Sequence, residues 1–157
     1  MKTLIDTLDN RFIQLNARST ELIKNTPLEK LYWQPREIAR DFPVNSCGEY
    51  ILRSAGKVEQ TFGGITTKLW DDPFEWTLPE ALSTNELILN YLVEVEETRQ
   101  RGFTLFKSDE DLKREIPAPE KLKTIFSLLL ETLSLAENYN GRAVALFKIF
   151  SDAKLSG

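Results

Sequence analysis

The last long stretch, 120–151, constrains the fold more than any other part of the chain: EKLKTIFSLLLETLSLAENYNGRAVALFKIFS. Apolar or small residues fall at Leu122, Ile125, Phe126, Leu129, Leu133, Ala136, Ala143, Val144, Phe147 and Phe150. Steps of three and four place them on one continuous helical stripe. At 1.5 Å per residue such a helix is roughly 45 Å long, which suits the spine of an elongated bundle. Asn140-Gly141 is a turn signal inside it, but the stripe keeps its phase across the pair. The pattern therefore predicts one helix with a kink.

The remaining segments supply partners for that spine. Helix 1 is expected over about 3–25, with Leu4, Leu8, Phe12, Leu15, Leu22 and Ile23 inward. Thr26-Pro27-Leu28-Glu29 has the form of a capping box with proline at the first helical position, so a short helix carrying Tyr32 and Trp33 should follow. Pro35 and Pro43 bracket a loop. Ser46 with Glu49 opens helix 2, to about Gly64, with Cys47, Ile51, Ala55, Val58 and Phe62 inward. A long connection of about 18 residues, 65–82, holds Trp70, Phe74 and Trp76 and reads as a packed crossover or lid. Ser83 with Glu86, stapled by Leu82 and Leu87, opens helix 3 to about Phe106, with Ile88, Tyr91, Val95, Thr98 and Gly102 on one side. Ser108 with Asp111 starts a further short turn, and Pro117 and Pro119 lead into helix 4. The expected fold is all-α: one domain over 1–157, a four-helix bundle of two helical hairpins joined by a long crossover.

Composition restricts the chemistry. With 157 residues, 41% hydrophobic and 28% charged, the chain can bury a core without staples. A net charge of −4 with no isolated Lys/Arg cluster argues against a nucleic-acid partner. No apolar run approaches a membrane span, and the acidic MKTLIDTLDN start does not resemble a signal peptide. A single cysteine, Cys47, forbids an intramolecular disulfide and suits the cytoplasm. Zero histidines exclude more than any motif includes: no Ser-His-Asp or Cys-His arrangement, no histidine base, no imidazole ligand. No metal or other cofactor is expected.

Several stretches together resemble the DinB-like (damage-inducible) four-helix bundle superfamily, over nearly the whole chain. They are Leu28-Glu29-Lys30-Leu31 with Trp33 and Pro35, then Ser46-Cys47-Gly48-Glu49-Tyr50-Ile51-Leu52-Arg53, Val58-Glu59 and Asn140-Gly141-Arg142. The resemblance implies a bundle in which histidines of helices 2 and 4 hold a divalent metal. It also implies thiol S-transferase or hydrolase-like activity and a tendency to dimerise. Tyr50 and Arg53 stand at the helix 2 histidine positions, and Leu135, Asn138 and Tyr139 at those of helix 4. The resemblance is thus to a member of the superfamily that lacks the metal-binding histidines.

The residues around that place carry two readings each. Arg53 lies about 200° from Ile51 on the helical wheel, which makes it a solvent-facing partner of Glu49 or a group turned into the vacated site. Asn140 on the inward stripe either relaxes the kink or lines a polar pocket with Arg53, Glu131, Thr132 and Tyr139. Tyr139 is expected to be largely buried and to plug the former site. Asp71-Asp72 and Asp109-Glu110-Asp111 lack EF-hand spacing and read as solvated charge and helix capping. The Trp70, Phe74 and Trp76 group reads as a hydrophobic seal, and Gly56, Gly63 and Gly64 as a site of close approach, within the chain or to a second copy. The functional expectation is a non-catalytic small-molecule-binding or interaction protein, homodimeric. The alternative is a metal-independent relative of the transferase or hydrolase-like enzymes.

Overall fold

The computed structural model describes residues 1–35 and 45–155. Four helices carry it: α1 Thr3–Asn25, α2 Cys47–Thr67, α3 Asn85–Thr104 and α4 Ile125–Phe150. Two short strands, β1 Glu115–Pro117 and β2 Leu122–Thr124, pair antiparallel just before α4. The expected loop ending at Pro43 lies outside the described residues.

Cross-helix partners set the topology. Asn85 reaches the Ile23 carbonyl, Asn16 the Leu92 carbonyl and Arg99 the Asp9 carboxylate, so α1 and α3 are antiparallel. Tyr50 with Tyr139, Ser54 with Ala136 and Thr61 with Thr132 make α2 antiparallel to α4. Glu59 with Tyr91 and Phe62 with Phe103 make α2 and α3 parallel neighbours. The bundle is therefore up-down-down-up. The long connection, 68–84, is the crossover that a parallel pair demands. Successive helices do not form adjacent hairpins, however: α1 packs on α3 and α4 and meets α2 only sparingly.

An aromatic cluster joins three helices. Phe62 packs edge-on against Phe12 at 5.3 Å and tilted against Phe103 at 5.2 Å, and Phe106 stands edge-on to Phe103 at 5.6 Å. Gly102 makes this packing fit, since a Cβ there would come within 2.4 Å of the Phe62 ring. Gly48 serves the same purpose at the start of α2. Its amide donates to the Leu31 carbonyl at 2.8 Å, and a Cβ would strike that oxygen and the Tyr32 ring. The 3-10 turn Leu28–Lys30 is thereby docked on the first turn of α2. Cys47 is buried beside it, and burial pushes its thiol up to about 12 although Thr26 hydrogen-bonds it, which makes it a poor nucleophile.

Several local expectations are corrected. Thr26 does not cap the following turn; its hydroxyl donates to the Leu22 carbonyl and closes α1. Thr84, not Ser83, caps α3 by accepting from the Leu87 amide. Leu4 is exposed, and its amide, with that of Ile5, donates to the Asp109 carboxylate, so the start of α1 is capped by a residue from beyond α3. Helix 4 begins at Ile125 because Pro117 and Pro119 favour extended backbone, and Thr124 caps it by accepting from the Ser127 amide. Leu122, counted in the helical stripe, is an exposed strand residue. Across Asn140-Gly141 the helix continues without a break.

Arg99 is 2% exposed, a buried charge on the α3 stripe. It pairs with Asp9 of α1 and with Glu96, Nε to Oε1 at 3.0 Å. Burial still raises the Asp9 carboxyl, outweighing the lowering by the guanidinium, with Asp6 adding to the rise. The pair thus serves Arg99 more than Asp9. Asp9→Ala should lower stability by about 1.5–3 kcal/mol in urea denaturation, as the buried guanidinium loses one of its two carboxylates. A midpoint within error of wild type would show that Glu96 alone satisfies it.

Candidate functional site

The place named by the resemblance lies in the α2–α4 seam. Tyr50 is 4% exposed and stacks with Tyr139, ring centroids 6.3 Å apart and 25° from parallel. The Arg142 guanidinium lies 5.8 Å from the Tyr50 centroid. Further along the seam the Ser54 hydroxyl donates to the Ala136 carbonyl at 2.8 Å, and the Thr61 and Thr132 hydroxyls bond at 2.7 Å. On the other side of α2, a void between α1, α2 and α3 that reaches Ser54 and Val58 measures about 10 Å³, room for no more than a water. The buried ring is Tyr50; Tyr139, expected to be largely buried, is only partly so and lies beside it.

The five positions do not fit a divalent metal. Leu135 offers no donor atom, Arg53 is cationic, and Tyr50, Tyr139 and Asn138 are weak ligands. Among the described residues no group of three or more Asp, Glu or Cys converges on a point that could hold an ion.

The pocket expected from Arg53, Glu131, Thr132, Tyr139 and Asn140 is not assembled. Arg53 turns outward to the crossover, its guanidinium 5.5 Å from the Phe74 centroid. With the Asn45 amide oriented to give both its ends partners, Arg53 Nε donates to it at 3.2 Å and Asn45 donates to Glu49 at 3.0 Å. Glu131 is on the surface, where Lys123 and then Ser127 hydrogen-bond it and hold its carboxyl low. Thr132 is buried against Thr61, and Asn140 donates to the Ser19 hydroxyl at 2.9 Å. Leu135 and Asn138 lie with Leu130 and Glu131 on the outer face of α4.

The glycines of α2 are used within the chain. A Cβ on Gly64 would come within 2.5 Å of the Trp70 ring, and Gly56 faces Pro73 and Phe74. Trp70 in turn donates to the Pro117 carbonyl at 3.2 Å, tying the crossover to the hairpin. Asp72 caps the turn Pro73–Glu75 by accepting from the Phe74 amide, and Asp111 accepts from the Lys107 and Ser108 amides. Of the three crossover aromatics only Trp70 packs as a seal; Phe74 and Trp76 are exposed.

Besides the outer face of α4, two further open surfaces lie among the described residues. A groove between α1 and α4 comprises adjoining depressions of about 870 and 730 Å³ that share Arg18, Glu21 and Glu137. Arg18 is ion-paired with Glu137 across it, and Leu155 closes one end. The other is a cleft of about 240 Å³ where α2, α3 and the crossover meet, lined by Glu59, Gln60, Asp71, Trp76 and Arg101 among others. Glu59 Oε2 accepts from the buried Tyr91 hydroxyl. Burial raises the Glu59 carboxyl, the Tyr91 bond opposes the rise and Glu94 adds to it. Burial and the facing carboxylate likewise push the Tyr91 hydroxyl well up, so it stays a proton donor. This pair was not singled out by spacing. Glu59 figured only in the resemblance and Tyr91 only in a core stripe.

Two expectations follow. Tyr50→Ala should cost about 3–5 kcal/mol and Tyr139→Ala about 1–2, since the first ring is buried and the second half-covered; equal losses in thermal melts would contradict the assignment. Glu59 has a folded-state pKa above its unfolded one, so its contribution is present at low pH and is lost as pH rises above the ordinary value of 4.5. Glu59→Gln keeps an acceptor for Tyr91 and cannot ionise. The variant should therefore gain on wild type as pH climbs from 4 to 7 in parallel urea titrations, and a constant difference would refute this.

Compared with known proteins, the chain matches no protein-family model, no curated protein and no solved structure.

Proposed function

We propose that the chain is a DinB-like four-helix bundle without the metal site, acting as a non-catalytic small-molecule-binding or interaction protein. The observation that supports this reading is the closed α2–α4 seam, where Tyr50 and Tyr139 occupy the positions that the resemblance gives to histidines. Hydroxyl bonds fill the seam beyond them. A reaction needs substrate held against converging groups, and Arg53, Glu131 and Tyr139 do not converge. Binding falls instead to the surfaces at the two flanks of the bundle. Self-association belongs to the same reading. The glycine face of α2 is covered by the crossover, which leaves the outer face of α4, with Leu130 and Leu135 exposed, to meet a second copy.

A second reading, a metal-independent transferase or hydrolase, draws support from one observation: the cleft sets a carboxyl of raised pKa beside a tyrosine hydroxyl. One pair of experiments separates the readings. After exhaustive dialysis, elemental analysis should find well under one Zn, Ni or Fe per chain. The same sample should show no turnover of a low-molecular-weight thiol with an electrophilic acceptor. Stoichiometric metal would sink the first reading. Turnover abolished by Glu59→Gln would favour the second.

A further inference from the structure

The cleft beside Glu59 contains a carboxylate whose partners are incomplete. Tyr91 occupies Oε2, while Oε1 has no protein donor among the described residues. Since no buried side-chain polar atom lacks a partner among them, Oε1 is open to the cleft's solvent. No lysine or arginine among the described residues lies within ion-pair distance of Glu59. Arg101, on the wall, donates instead to the Thr98 hydroxyl at 3.1 Å. Glu94 adds to the negative potential at Glu59, and Asp71 lines the same cleft. A half-buried carboxylate with no ion-pair partner is relieved either by taking up a proton or by a cation docked against its open oxygen.

The aromatic wall points the same way. Trp76 lines the cleft and is 45% exposed, although the short turn before it is firmly set. Pro73 is buried against Gly56, Asp72 caps the turn and the Thr77 hydroxyl donates to the Pro73 carbonyl at 2.8 Å. The indole is thus presented on a fixed backbone. An indole face and an acceptor carboxylate on two walls of one small cleft are the groups that recognise an alkylammonium ion. The volume, about 240 Å³, lies below that of drug-sized pockets and limits the ligand to a few carbons.

We propose that the cleft between α2, α3 and the crossover binds a small organic ammonium ion, with Glu59 Oε1 accepting from its nitrogen and Trp76 covering its alkyl face. The proposal rests on the small-molecule-binding reading above and assigns that binding to one place.

Calorimetric titration with n-butylammonium, tetramethylammonium and the neutral isostere n-butanol tests it. Butylammonium should bind one per chain and at least about tenfold tighter than butanol, the discrimination expected of a charge-assisted contact. Glu59→Gln and Trp76→Leu should each weaken it by about tenfold or more, while Glu131→Gln on α4 leaves it unchanged. Both cleft variants are conservative, and circular dichroism establishes that each is folded before titration. Tetramethylammonium binding tighter than butylammonium would overturn the role of Oε1 as acceptor. Equal binding of butanol and butylammonium would overturn the charge assignment while leaving a small-molecule site. Absence of any binding at millimolar ligand, or full binding by folded Glu59→Gln, would overturn the proposal itself.

Discussion

Closure of the seam between α2 and α4 is the constraint on which the other contacts depend. Helices approach closely there because Ser54, Thr61, Thr132 and Ala136 are short. Two of the hydroxyls then find partners across the seam, Ser54 on the Ala136 carbonyl and Thr61 on Thr132. Left unpaired, each would cost about 1–3 kcal/mol, so sliding either helix by a turn is heavily penalised. With that register held, α2 gives its next face to α3 through Phe62 and Glu59, and its glycine face to the crossover. Closed in this way, the α2–α4 seam leaves no open space between the two helices at Tyr50, Ser54 and Thr61. The same crowding that stabilises the bundle leaves the larger open surfaces at its flanks.

Much of this architecture was legible in the chain. The 3.6-residue stripes placed all four helices, and Ser46 was identified as the cap of α2 from its own spacing to Glu49. Errors arose where a distant group decided the local outcome. The stripe of α4 was extended through Leu122 because the phase was right, but the strand pairing of 115–117 with 122–124 depends on both segments at once. Arg99 fell on a core-facing position that helical periodicity would fill with an apolar residue. Its carboxylate partner Asp9 lies in another helix, beyond the reach of spacing arguments. The Ser83 cap was displaced by Thr84, one residue on, because both have the required oxygen and only the backbone geometry chooses.

The candidate site was less legible, for the same reason on a larger scale. Tyr50 and Tyr139 sit side by side, as positions on facing helices should, but their burial is unequal in a way no wheel reveals. The Glu59 cleft has one wall from α2, one from α3 and one from an irregular connection. Its existence follows from α2 and α3 being parallel neighbours. Helical stripes state which face is buried and leave open which helix covers it.

Helix α1 shows what such non-local dependence means for the life of the chain. Its first-turn amides are satisfied by Asp109, and the Ile23 carbonyl and that of Thr26 just beyond its end accept from Asn85. Thr26 closes the C-terminal end locally, and Asn85 only adds to it, but the N-terminal cap is far away in sequence. The first turn of α1, made well before residue 109, therefore lacks its carboxylate until Asp109 has been made and folded against it. That cap acts as a completion signal: the start of α1 is finished only when the turn beyond α3 is in place. Its stability is a property of the whole bundle, although its sequence alone announces a helix.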